Sequence, residues 1–172
     1  MTVPPSRTKN RFGGQSGNRF LALDDDIRIL SGVGLFSELD SEQLRLLAFG
    51  AEAIRFQAGR EIYREGAAAD CAFIVVSGRV VLYRERDGRA VAVSRLDPGA
   101  MLGEMALIAA TTRMTYAAAE TDVELIRLGR THFRRILEEY PQTAAILHER
   151  IKADLQALLG EIERLAPKFA ED

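Results

Sequence analysis

The sequence predicts a mainly β domain with flanking helices: a β-roll, built as a jelly-roll-like antiparallel barrel, with short helices before it and two helices after it. Three observations carry this. First, between Ala51 and Arg127 glycines stand at 59, 66, 78, 88 and 99, and the segments around them (Ala53–Phe56, Glu61–Arg64, Ala72–Val76, Arg79–Arg86, Arg89–Leu96) are rich in β-formers. Second, Asp87-Gly88 joins two of those segments and suits a type I′ turn, which needs positive φ at both central residues. Third, the apolar period returns to 3.6 at Thr131.

Each element follows in order. Residues 1–20 read as a flexible basic leader rich in Gly, Ser, Asn and Pro. Asp24–Asp26 then opens a short helix carrying Ile27, Leu30 and Val33, and a second starts at Asp40 or Ser41 with Leu44, Leu47 and Ala48 on one face. Tyr116–Ala119 and Val123–Leu128 close the β region, which with its flanking helices spans 21–140. Thr131 is the expected N-cap of a helix burying Phe133, Ile136 and Leu137, broken at Tyr140-Pro141. Pro141 suits the first position of a longer helix reaching about Leu165, within a C-terminal unit of 141–172. Ile151, Leu155, Leu158, Ile162 and Leu165 recur in steps of 4 and 3. That seam fits either a coiled-coil homodimer or packing against the chain's own β-roll.

Composition removes several function classes. With 172 residues, 47% of them hydrophobic and 28% charged, the chain suits one globular domain, and no apolar run approaches the length of a membrane helix. The start lacks a signal-peptide pattern, so a cytoplasmic location is expected. One cysteine, Cys71, cannot close an internal disulfide, and with two distant histidines it makes no zinc set, so no metal is expected. Residues 1–20 hold Arg7, Lys9, Arg11 and Arg19 and no acid, so the overall net charge of −2 leaves the rest of the chain at −6. Direct DNA binding by that part is not expected, because phosphate neutralisation needs a cationic surface.

Three catalytic motifs fail. Gly32-Val33-Gly34 lacks a third glycine and follows a helical segment; His148-Glu149 is followed by Lys152 where a second ligand histidine would stand; and Ser77-Gly78 has Val75 in place of the glycine that a nucleophile elbow needs. No base–nucleophile pair remains, and the chain does not read as an enzyme.

One stretch differs. Leu102-Gly103-Glu104-Met105-Ala106-Leu107-Ile108, followed by Arg113-Met114-Thr115, sits between β segments and reads as a tight turn opening a very short helix. Its first amides lack intrahelical partners and suit an anion. Gly103 permits close approach to the backbone, and Arg113 offers a planar, permanently charged fork for two phosphate oxygens. Glu104 beside an anion makes sense if it accepts from a sugar hydroxyl. The stretch asks for a ligand with a ribose hydroxyl and a phosphate in compact geometry, unless glutamate and arginine simply form an internal ion pair.

The order Leu35-Phe36-Ser37-Glu38-Leu39, Gly59, Gly66, Ser77-Gly78, Pro98-Gly99 and Gly103-Glu104-Met105-Ala106-Leu107 with Arg113 resembles the cyclic nucleotide-binding domain. This is the sensor domain of catabolite-activator-type regulators, protein kinase A regulatory subunits and cyclic-nucleotide-gated channels. The resemblance covers about Asp24 to Leu165 and implies that family's β-roll and phosphate-binding cassette. It implies that Arg113 binds the cyclic phosphate, Glu104 the ribose 2′-OH, and the amides around Met105 and Ala106 close the phosphate site. Leu82, Val93 and Ser94 match pocket-lining strand positions. Met114 stands where a hydroxyl often favours cyclic GMP, which tilts the expectation to cyclic AMP, although Thr115 could supply that hydroxyl. Thr112 replaces a frequent proline and should loosen the turn.

These implications make the chain a cytoplasmic cyclic nucleotide sensor that signals by repositioning its C-terminal helix toward an effector protein. It is expected to stand alone without a helix-turn-helix. The alternatives are an interaction or structural module whose cassette no longer binds nucleotide, and a fragment of a longer transcriptional regulator.

Overall fold

The structure, a computed structural model, describes residues 19–170, with side chains from 23 to 165. Residues 1–18 of the expected leader lie outside the described residues. The helix placed at Asp24 begins earlier, as α1 (Arg19–Ser31), so Asp24–Asp26 fall inside it. A 3-10 turn, Gly34–Phe36, follows and buries Leu35 and Phe36. Next is α2 (Ser41–Phe49), held by a capping box: the Gln43 amide donates to the Asp40 carboxylate at 2.8 Å, and the Asp40 amide to Gln43 Oε1 at 3.1 Å. Such a cap stabilises a helix start by about 1 kcal/mol.

Ten strands follow: β1 (Glu52–Phe56), β2 (Glu61–Tyr63), β3 (Ala68–Ala69), β4 (Cys71–Ser77), β5 (Val80–Arg86), β6 (Arg89–Leu96), β7 (Met101–Leu102), β8 (Thr111–Thr112), β9 (Tyr116–Ala119) and β10 (Val123–Gly129). They form two four-stranded antiparallel sheets, β1-β10-β4-β7 and β2-β9-β5-β6, plus the ribbon β3-β8. Among the described residues the roll is therefore two facing sheets and not the expected closed barrel, and β3, β7 and β8, of two residues each, are too short to leave a period in the sequence. The turn expected to be loose at Thr112 is stitched instead, with Thr112 opposite Ala68 and Thr111 opposite Ala69. The β5–β6 hairpin turns at Asp87 (φ 51°) and Gly88 (φ 75°), as a type I′ turn requires.

Alternation explains why β4 and β10 read as continuous apolar runs. Phe73, Val75, Val123 and Leu125 face the second sheet and pack with Val80, Leu82, Ala117 and Ala119. Ala72, Ile74, Ile126 and Leu128 face the helices and pack with Leu30, Phe36, Leu47, Phe133 and Ile136. Burying each large side chain there contributes about 1.5–3 kcal/mol.

Helix α3 (Arg130–Glu139) starts one residue before Thr131, with Gly129 at the cap position and no side-chain cap, so Thr131 is not the N-cap. An arginine side chain ties this end down instead. Arg130 Nη1 donates to the carbonyls of Ala69 (3.2 Å) and Ala109 (2.9 Å), while its amide donates to that of Asp70 (2.8 Å). His132 Nε2 lies 2.8 Å from the Leu46 carbonyl oxygen, and a Cβ at Gly50 would fall 2.2 Å from the His132 ring, so Gly50 lets α2 and α3 touch. Helix α4 (Pro141–Ala170) starts at the proline and runs past Leu165, about 45 Å at 1.5 Å per residue. Leu147 and Ile151 are fully buried in the chain's own core, so Ile151 is not available to a seam with a second copy.

Candidate functional site

Between the second sheet, the 3-10 turn Glu104–Leu107 and α4 lies a cavity of about 730 Å³. Gly103, Glu104, Met105, Ala106, Arg113, Met114, Thr115, Leu82 and Ser94 all line it. Val93 does not. The pairing runs Leu82 opposite Ser94 and Tyr83 opposite Ala92, so Val93 is the extra residue of a β-bulge, and it packs, half-buried, against the core between the sheets.

Glycine at 103 is demanded twice. Its φ of 75° is left-handed, and a Cβ there would sit 2.2 Å from Arg113 Nη1. The room kept by its missing side chain is filled by the guanidinium, not by direct ligand approach. The Arg113 backbone is fixed by two hydrogen bonds of 2.8 Å: its amide donates to the Ala67 carbonyl, and the Gly66 amide donates to the Arg113 carbonyl.

The guanidinium is only 7% exposed and has no carboxylate partner among the described residues. Its Cζ lies 4.4 Å from the centre of the Tyr63 ring and 5.7 Å from that of Phe73, and Nη2 donates to Cys71 Sγ at 3.3 Å. Nη1 is buried without any hydrogen-bond partner. A buried N–H of a permanent cation left unpaired costs about 1–3 kcal/mol or more, which fits a group waiting for an anion. The ion pair with Glu104 that would have tied the turn together is not formed.

Burial pushes the Glu104 carboxyl above the usual range; its own backbone amide opposes this and the charge of Asp154 adds to it. Asp154, on α4, is raised by burial and lowered by Arg150. Burial likewise pushes the Cys71 thiol up, with Arg113 opposing. The Ala106 amide donates to the Gly103 carbonyl at 3.1 Å, so it is not among the free amides expected to close the site.

Several lining residues carry no local sequence signal. Tyr63 reaches the cavity from β2, while Val33, Gly34 and Leu35 reach it from the first 3-10 turn. Helix α4 covers one side from Arg150 to Glu161, with Leu155 and Leu158 facing in. Three of the five seam residues, Ile151, Leu155 and Leu158, therefore serve the chain itself. Two features of α4 hinted at this: a seam too short to make a coiled coil alone, and a helix after Pro141 long enough to reach over a neighbouring site. Arg150 latches the helix to the first 3-10 turn, donating to the Gly34 carbonyl, to Ser37 Oγ at 2.6 Å and to Glu38 Oε1 at 3.1 Å. Among the described residues no cluster of His, Cys, Asp or Glu could hold a metal ion, and no helix is long and apolar enough to cross a membrane.

Comparison with known proteins agrees with this geometry. A cAMP-dependent protein kinase regulatory subunit of Mucor circinelloides f. lusitanicus is 30% identical over 108 residues, 63% of this chain and 25% of the relative. Patatin-like phospholipase domain-containing protein 7 of Rattus norvegicus is 31% identical over 121 residues, 67% of this chain and only 9% of that protein. The chain thus spans a quarter or less of these curated relatives. Among solved structures, a cyclic nucleotide-binding-like protein from Brucella abortus superposes with a TM-score of 0.62 at 58% identity, over 67% of this chain and 99% of that one. The model of the cyclic nucleotide-binding domain matches residues 53–140, a span that includes Gly103, Glu104 and Arg113, and this chain belongs to that family.

Proposed function

We propose that this chain is a cytoplasmic cyclic nucleotide sensor that binds cyclic AMP in preference to cyclic GMP and signals by re-seating α4 toward an effector protein. The observation that carries the reading is the unpaired, buried Nη1 of Arg113. Arg113 takes the cyclic phosphate, with amides of the Glu104–Leu107 turn beside it; Glu104 accepts from the ribose 2′-OH; and α4 covers the base. Against the reading of Glu104 and Arg113 as an internal ion pair stands that they do not make one; the rival, an interaction or structural module whose cassette no longer binds nucleotide, is separated by the titration below.

The preference for cyclic AMP is supported at two residues. Met114 has no hydroxyl to donate to a guanine, and Thr115, 2% exposed, keeps its own largely buried. The switch is supported by connectivity: Arg130, at the start of α3, bonds to the Ala109 carbonyl within the cassette and to that of Ala69 in β3, and Arg150 holds α4 over the cavity. A ligand shifts such a helix only by binding one of its positions more tightly. Self-association, if it accompanies signalling, would use α4 beyond Leu158, where Leu159 is exposed.

Calorimetry with cyclic AMP, cyclic GMP and cyclic di-GMP tests the ligand: cyclic AMP should bind tightest, and no heat from any of the three would overturn the reading. Hydrogen exchange tests the switch. Saturating nucleotide should protect amides in both Gly103–Arg113 and Arg150–Glu161, and protection confined to the first segment would overturn the role of α4.

A further inference from the structure

A buried arginine is usually steadied by a carboxylate, which gives it both position and charge balance. Arg113 has the first without the second. Its guanidinium lies over the Tyr63 ring at 4.4 Å, Phe73 is at 5.7 Å, and Nη2 donates to the Cys71 thiol at 3.3 Å. The Tyr63 ring is itself fixed, stacked on Phe73 with centroids 6.3 Å apart. Cys71 is fixed too, since it is buried at the end of β4.

A π face and a thiol differ from a carboxylate in one decisive respect. They attract a cation and set its plane, yet leave its unit charge uncompensated. A carboxylate in their place would hold the same plane but compete with an incoming anion for the same N–H groups. We propose that Tyr63 and Cys71 are positioning residues of the anion site: together they clamp the Arg113 guanidinium in register with its Nη1 beside Gly103, so that the phosphate of the ligand is its only full counter-charge. This inference rests on the cyclic nucleotide reading above.

The clamp also accounts for the pairing of Gly103 with Arg113. Nη1 occupies the place of a side chain at position 103, an arrangement that persists only if the guanidinium cannot swing away. Both clamp residues lie far from the cassette in sequence, at positions 63 and 71. Sheet pairing brings them there: β4 lies against β7, with Phe73 opposite Leu102, and β2 lies against β9.

The test is calorimetric titration of the full chain with cyclic AMP, in wild type and in an Arg113→Lys background. Lysine keeps the charge but has no plane to stack. Tyr63→Leu should weaken binding about tenfold in the wild type, and Tyr63→Phe, which restores the ring, should recover most of that loss. In the Arg113→Lys background Tyr63→Leu should cost less than about threefold, whereas a merely structural role would cost the same in both. Cys71→Ala, a milder change, should weaken wild-type binding by about threefold and serves if Tyr63→Leu does not fold. A wild type that binds no cyclic nucleotide overturns the functional reading and this inference with it. Normal wild-type binding that neither variant alters, or equal losses in the two backgrounds, overturns the clamp alone.

Discussion

The two ends of the cavity are built by different means. At the anion end every constraint is short and stiff: a left-handed glycine, a two-residue ribbon, a guanidinium on an aromatic ring. At the other end a single helix crosses the opening, held by the burial of Leu147 and Ile151 and by the Arg150 latch, whose side chain is 38% exposed. On the proposed reading, a site made this way would fix the phosphate and leave the cover able to respond. Recognition and readout would then belong to separate parts of the chain.

The largest way to break that division is at the anion end. Arg113→Ala should lower cyclic nucleotide affinity by about 30- to 1,000-fold, from about 2–4 kcal/mol of charge-assisted bonding, with the fold retained by circular dichroism. Gly103→Ala comes next. The new Cβ would collide with Nη1 and force a strained φ, so affinity should fall about tenfold and stability by about 1–3 kcal/mol in denaturant titration.

Glu104→Gln should weaken ribonucleotides up to about tenfold and 2′-deoxy analogues less; equal losses would remove Glu104 from the sugar. The same residue has a pH signature without ligand. Because burial raises its pKa, the native chain keeps the proton to higher pH than the unfolded chain does. Stability is therefore fully present below the unfolded carboxyl value, about pH 4, and is lost as the pH rises through the raised one. Melting temperatures measured across that window should show a shallower fall in Glu104→Gln. The smallest effect belongs to the cover: Leu158→Ala, at the lining face of α4, should cost only about threefold in affinity. A loss there as large as that of Arg113→Ala would erase the contrast between the two ends.

What was legible in the sequence follows the same line. The segment Arg89–Leu96, the strand Tyr116–Ala119 and the Asp87-Gly88 turn appear at the expected residues, because alternation and turn chemistry are local. Gly103, Glu104 and Arg113 were legible for the same reason, lying within 11 positions of one another. Tyr63 was not, since it depends on which strand lies beside which. The cap of α3 was misplaced because threonine chemistry suggested a side-chain cap, where the chain uses Arg130 reaching back to two carbonyls. Val93 was misassigned because a bulge has no signature in a run of alternating residues.

The Asp87-Gly88 hairpin offers a practical handle. Glu85 to Arg89 are exposed, and the turn is the tip of the two-stranded arm β5–β6, whose other end carries Leu82, Ser94 and Leu96 into the cavity wall. Exposed hairpin tips tolerate insertions well. A fluorescent domain spliced between Asp87 and Gly88 would sit at the far end of a lever whose base borders the ligand. Its emission should then report occupancy of the cavity while α4 stays untouched.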